Sequence, residues 1–224
     1  MMNIKAAIFD VDGTLVDSLM LWDILWKHFG KKYCGGNVYH PSEADDRAIR
    51  TLPLKDAMAL LHAHDGIGES GEMLLEETNN VFMDFYQNRV ELKPGVKEFL
   101  EKCREKQVKM CIASATAPKL LEAALSHCGI RDCFLQLFSC GSIGKGKDQP
   151  DIFLMAQKYL GVSIEETWVF EDSLTALQTA RGIGMKTVGI YDRHNGGQEE
   201  IQKIADRYIG PGETMMKMAE EENE

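Results

Sequence analysis

Hydrophobic and polar positions change their spacing twice along this chain. The first apolar run, Ile4 to Phe9, has the length of a buried strand and breaks off into Asp10, Val11, Asp12 and Gly13. From residue 92 onward, short apolar runs alternate with stripes of helical period. The segments "VKMCIAS" (108–114), "QLFS" (136–139), "TWVFED" (167–172) and "KTVGIY" (186–191) read as strands. Residues 94–106, 118–128, 150–160 and 174–181 read as helices, the first with a proline at its start and Val96, Phe99, Leu100 and Cys103 on one face. Strands and helices in alternation predict βαβ units, and so an α/β fold with a doubly wound parallel sheet.

Residues 19–91 follow a different rule and contain no strand-like run. "LMLWDILWKHF" sets Leu21, Trp22, Leu25, Trp26 and Phe29 on one helical stripe, a pattern that predicts core packing. "PSEADDRAIRTL", "LKDAMALLHAH" and "GEMLLEETNNVFMDFYQNRV" also read as helices. The pattern predicts an all-helical insert over residues 17–91, set into an α/β unit made of residues 1–16 and 92–224. "LKPG" marks the return.

Open parallel sheets bind ligands outside the carboxyl ends of their strands, so the polar residues at those ends are the candidates for chemistry. The first strand ends in Asp10 and Asp12, the second in Ser114 and Thr116, and the fourth in Glu171 and Asp172. After the third comes the Gly-rich "GSIGKGKDQPD", which carries Lys145 and Lys147. Carboxylates crowded into one crevice repel: two unit charges about 4 Å apart cost about 4 kcal/mol at an effective dielectric near 20. A hard cation relieves this, and a few carboxylates with open positions suit Mg²⁺. A lysine, hydroxyls and helix N-termini opposite the cation make a phosphate site. Mg²⁺, a lysine and an aspartate free to attack are equipment for phosphoryl transfer through an aspartyl-phosphate.

At this point the chain resembles the haloacid dehalogenase superfamily, in its phosphatase branch with a small helical cap. The residues that carry the resemblance are "DVDGT" followed by "LVDS", Ser114 at the end of the second strand, Lys147 ahead of "PD", and "FEDS", in that order. The resemblance spans essentially the whole chain. It implies a Rossmann-like core with an inserted cap domain. Asp10 would be the nucleophile, Asp12 the general acid/base, and Ser114 and Lys147 the phosphate-binding residues. Asp10, the Asp12 backbone carbonyl and Asp172 would hold Mg²⁺, with Glu171 nearby. The chain departs from the family pattern at Asp148, where a proline is usual, and at Ala176, where glycine is common.

Composition narrows the partners. Hydrophobic residues make up 44% and charged residues 27% of the 224, ordinary for a globular protein. A net charge of -10 argues against nucleic acid and anionic membranes, which favour a basic face. No apolar run is long enough to span a bilayer, no apolar segment behind basic residues suggests secretion, and the six cysteines form no C-x-x-C pair. A cytoplasmic enzyme with reduced thiols, monomeric or weakly dimeric, is expected. His62 and His64 diverge on a helix and make no metal pair, while Arg47, Arg50 and Lys55 read as a solvated face. Asp17 and Ser18 read as structural or capping residues.

The expected activity is therefore Mg²⁺-dependent hydrolysis of a small phosphorylated metabolite. A phosphomutase of the β-phosphoglucomutase type is the rival enzyme. The resemblance to those mutases places their cap histidine at Trp22, whose indole only donates. A non-catalytic regulator that binds a phosphorylated ligand is the rival of another class, opposed by the Asp10–Asp12 pair. A receiver domain is opposed by the helical insert.

Overall fold

The computed structural model of the chain describes residues 4–49, 52 and 54–220. Arg50 and the side chain of Arg47, two of the residues read as a solvated face, lie outside that set. The chain divides into two compact units, residues 1–19 with 86–224, and residues 20–85.

In chain order the elements are β1 (Ala6–Phe9), β2 (Val16–Asp17), α1 (Leu21–Tyr33), α2 (Glu43–Ile49), α3 (Leu54–Asp65), α4 (Gly71–Asn88) and β3 (Glu91–Leu92). Then follow α5 (Val96–Glu105), β4 (Lys109–Ser114), α6 (Pro118–His127), β5 (Leu137–Ser139), α7 (Cys140–Ile143) and α8 (Asp151–Leu160). The chain ends with β6 (Thr167–Glu171), α9 (Leu174–Gly182), β7 (Lys186–Ile190), α10 (Gln198–Ile204), β8 (Arg207–Ile209) and α11 (Lys217–Glu220).

Six strands form one parallel sheet in the order β5-β4-β1-β6-β7-β8. β1 lies inside the sheet, paired with β4 on one side (Phe9↔Ile112) and β6 on the other (Phe9↔Phe170). The strand order reverses there, so the crevice outside its carboxyl end is the topological switch point. Burial follows from this: all four residues of β1 are buried, as a strand covered on both faces requires.

The two faces use alternate residues. Phe9 stacks on Phe170 with centroids 4.4 Å apart and meets Phe99 of α5 and Phe134 edge-on. Ala6 and Ile8 join a cluster with Ile152, Phe153 and Ala156 of α8 and Ala176 and Ala180 of α9. Ala176 is buried in that cluster, so the position where the resemblance makes glycine common here packs a methyl group. Helix α5 starts later than the sequence suggests. Pro94 precedes it, and Gly95, in the left-handed region at φ 77°, is the residue before its first turn.

Two elements escape the hydrophobic pattern. β2 and β3, each of two residues, pair antiparallel (Val16↔Leu92, Asp17↔Glu91). β8 extends the sheet beyond the five strands the pattern predicts, with Ile209 its buried apolar residue. Three residues with one buried side chain carry no periodicity to read.

The helical unit has its own aromatic centre. Trp26 and Phe29 are buried, and Trp22 lies 5.5 Å from Trp26 and edge-on to Phe82 at 5.6 Å. The stripe is core, as its period predicts. Glu77 of α4 accepts hydrogen bonds from Lys32 and Tyr33 of α1 and pairs with His28, joining the two helices. His62 and His64 go separate ways, to the Ile67 carbonyl and to Asp45. Among the described residues no helix is long and apolar enough to cross a membrane.

The stacked phenylalanines give a direct test. Phe9→Ala should cost about 3–5 kcal/mol by removing a fully buried ring from between three others. Chemical denaturation followed by far-UV circular dichroism measures it, and a loss below about 1 kcal/mol would show that the cluster does not anchor the sheet.

Candidate active site

The strand ends bring three carboxylates together. Asp10 follows β1, Glu171 closes β6 and Asp172 comes next; all three are buried, with ligand oxygens within 4.8 Å of one another. Their counter-charge is Lys147, from the loop between α7 and α8, whose Nζ donates to both Asp10 and Glu171. Lys145 turns away and pairs with Asp151 at 2.6 Å at the start of α8. Of the two lysines in the Gly-rich loop, Lys147 is the one that meets the acids.

Burial raises the Asp10 pKa well above the carboxylate range; Lys147 opposes that rise, while Glu171, Asp172 and Asp12 add to it. Asp172 is pushed up to about 7, by burial first and by Glu171 next. Burial pulls the other way on Lys147, but Asp10 and Glu171 more than offset it and hold the ammonium charged. One ammonium against three carboxylates leaves a surplus of negative charge. A set of carboxylate oxygens with that surplus fits a hard divalent cation such as Mg²⁺.

Asp172 is held on every side. Thr14 donates to its Oδ1 at 3.1 Å, and the Asn195 amide donates to its Oδ2 at 2.8 Å and to its backbone carbonyl at 2.9 Å. Gly13 sits against it with φ at +80°, and a Cβ there would fall 2.4 Å from Asp172 Oδ2. Only glycine lets the backbone turn here and come this close.

Asp12, two residues from Asp10, has a different environment. Its Oδ1 accepts from Ser18 and Tyr86, and its Oδ2 from Thr116, each at 2.6 Å. Ser18 is therefore not a cap: Met20 precedes α1 without a side-chain cap, and the Ser18 hydroxyl goes to Asp12 instead. Asp17 likewise faces Arg193, at 3.2 Å. Ser114 is buried at the end of β4, where its Oγ accepts the Thr116 N–H at 3.1 Å; Ala117, not Ser114, precedes α6.

Asp10, Lys147 and Asp172, expected at one site, converge with Glu171. Asp12 and Ser114 are joined to each other through Thr116. The pattern of the chain gives no sign of Tyr86 or Asn195. Tyr86 lies near the end of α4 with no motif around it. Asn195 lies in the loop after β7, where the strand-end rule, carried one strand further, would have found it.

A family profile for haloacid dehalogenase-like hydrolases matches residues 4–184. The chain belongs to this family of hydrolases. One relative, the phosphorylated carbohydrates phosphatase of Thermotoga maritima, is 25% identical over 221 residues, covering 96% of this chain and 99% of its own. Another, the β-phosphoglucomutase of Bacillus subtilis, is 26% identical over 83% of each chain. The crystal structure of CbbY from Rhodobacter sphaeroides in complex with phosphate shares the fold, with a TM-score of 0.75 at 22% identity over 92% of this chain and 93% of that one.

The raised carboxyls tie stability to pH. Asp172 binds its proton more tightly folded than unfolded, so its contribution is complete below about pH 4 and is lost as pH rises through about 7. Metal-free protein in chelator should melt at least roughly 3 °C lower at about pH 8 than at about pH 5.5, at roughly 2–4 °C per kcal/mol. Asp172→Asn should flatten the difference. Equal pH slopes in the two proteins, followed by scanning calorimetry, would contradict the assignment.

Proposed function

We propose that this hydrolase is a phosphatase of a small phosphorylated carbohydrate, working through an aspartyl-phosphate with Mg²⁺ bound. The observation that carries the reading is the separation of two neighbouring aspartates. Asp10 lies against Lys147 among buried acids, while Asp12 is held apart by three hydroxyls. Paired carboxyls in unlike environments suit unlike roles.

In the proposed reaction an Asp10 oxygen attacks phosphorus and the ester oxygen leaves with a proton from Asp12. Asp12 then takes a proton from water, which attacks the phosphorus, frees Asp10 and releases inorganic phosphate. Lys147 neutralises the phosphoryl oxygens and orients Asp10, and the Ser114 hydroxyl donates to one of those oxygens. Asp10, Asp172 and the Asp12 backbone carbonyl would hold Mg²⁺, with Glu171 beside them. When bound, the ion supplies charge neutralisation at the transferring group.

Residues 17–91 act in this reading as a cap that selects the substrate, and six free thiols support a cytoplasmic setting. The carbohydrate class rests on the Thermotoga maritima relative, which is matched almost from end to end.

The mutase reading has the Bacillus subtilis relative in its favour. Against it stands Trp22, at the place where the resemblance puts a histidine in those enzymes: an indole offers no lone pair to accept a proton. Water is then the acceptor of the phosphoryl group.

Asp10→Asn should leave the fold intact, with a single cooperative melting transition, and lose hydrolysis of p-nitrophenyl phosphate by at least about a thousandfold, since the amide cannot form the intermediate. Turnover within about tenfold of native would refute the nucleophile. For the choice of acceptor, the enzyme is given β-glucose 1-phosphate with trace bisphosphate. Free phosphate should form faster than glucose 6-phosphate, and the reverse order would make it a mutase.

A further inference from the structure

Asp172 takes its orientation from two neighbours outside its own motif, and one of them is unaccounted for by the reaction. Asn195 closes a small ring: its amide donates both to the Asp172 backbone carbonyl, at 2.9 Å, and to Oδ2, at 2.8 Å. A side chain bonded at both its carboxylate and its own carbonyl cannot rotate without breaking one of the two bonds. Thr14 donates to the other oxygen, and Gly13, with no side chain, packs close to Oδ2.

The loop that carries Asn195 is itself anchored. Lys93 donates to the Tyr191 carbonyl and pairs with the buried Asp192, both at 2.8 Å. Asp192 in turn accepts the His194 N–H at 2.8 Å, which sets the turn leading to Asn195. Gln198 closes the loop from α10 with bonds to the Asp192 and Asn195 carbonyls. A short surface turn of seven residues between β7 and α10 is thus fixed at both ends, with its one amide aimed at a buried acid.

We propose that Asn195 is a positioning residue for divalent-cation binding, holding Asp172 so that its unshared lone pairs face Asp10 and Glu171. The inference rests on the cation site proposed above. Each Asp172 oxygen has one hydrogen bond from the protein and retains capacity to bind a cation. Without the amide, the carboxylate is free to turn from Glu171, its repelling neighbour, and the site must pay to recover it when the ion arrives. Residues that orient ligating carboxylates are worth about 10–100-fold in metal affinity.

The test is Mn²⁺ binding to the full chain, read as free Mn²⁺ by electron paramagnetic resonance, with no substrate present. Native protein should bind one Mn²⁺, and Asn195→Ala should bind it about 10–100-fold more weakly. Gln198→Ala is the control: it cuts the loop's ties at α10 but leaves the Asp172 bonds, and should lower the melting temperature without changing Mn²⁺ affinity. Equal affinity in native and Asn195→Ala protein would overturn the role of Asn195 while leaving the cation site standing. Equal weakening in Asn195→Ala and Gln198→Ala would also overturn it, by assigning the effect to the loop as a whole. Failure of the native protein to bind Mn²⁺ would remove the cation site, and this inference with it.

Discussion

Repulsion among Asp10, Glu171 and Asp172 around the single ammonium of Lys147 is the constraint on which the rest of the α/β unit turns. Left to themselves, buried like charges a few ångströms apart would separate or take up protons. They cannot separate, because each is the last residue of a strand or follows it directly, and the raised pKa values of Asp10 and Asp172 record the pull toward protonation. β1 and β6 are neighbours in register from Ala6↔Thr167 to Phe9↔Phe170, so the acids beyond them arrive side by side. The aromatic stack of Phe9 on Phe170 lies directly beneath and fixes that register. The packing that stabilises the sheet thereby holds together a group of charges that destabilises it, the usual relation between a fold and a working site.

Asp12 shows the opposite treatment of the same residue type. Its three hydroxyl partners come from after β2, from α4 and from after β4, segments distant in sequence. No single stretch of chain could provide that environment. Two aspartates with one residue between them would share one side of an extended backbone; here β1 ends at Phe9 and the chain turns at Gly13, and the fold builds a cationic setting for one and a hydroxyl setting for the other.

This also explains what the sequence discloses and what it hides. The strands are legible because burial on both faces demands uninterrupted apolar runs, and the acids are legible because they interrupt those runs. Lys145 and Lys147 occupy one Gly-rich loop; the motif position singles out Lys147, and in the fold Lys147 meets Asp10 while Lys145 pairs with Asp151. Ser18, in a motif that suggests a helix cap, turns to Asp12 because the backbone reaches α1 only at Leu21. Tyr86 acts through a partner 74 positions away, and a distance of that kind leaves no local pattern; Asn195 is marked only by its place after the end of β7. β8 is missed for a plainer reason: three residues are too few for a period.

The placement of β1 also bears on how the molecule comes into being on the ribosome. The first strand made is flanked by strands whose partners lie 103 (Ala6↔Lys109) and 161 (Ala6↔Thr167) residues downstream. At roughly 5–20 residues per second, synthesis leaves β1 without β6 for on the order of 10–30 s. During that interval an apolar strand with open edges is exposed to other chains. Closing so long a loop is slow whatever the final stability, since contacts distant in sequence must form before they are rewarded. The helical segment between β1 and β4 is made in full before β6 and can form while β1 waits. The residues that complete the acid cluster, Glu171 and Asp172, come with the strand that ends the wait, so assembly of the site and closure of the sheet are one event.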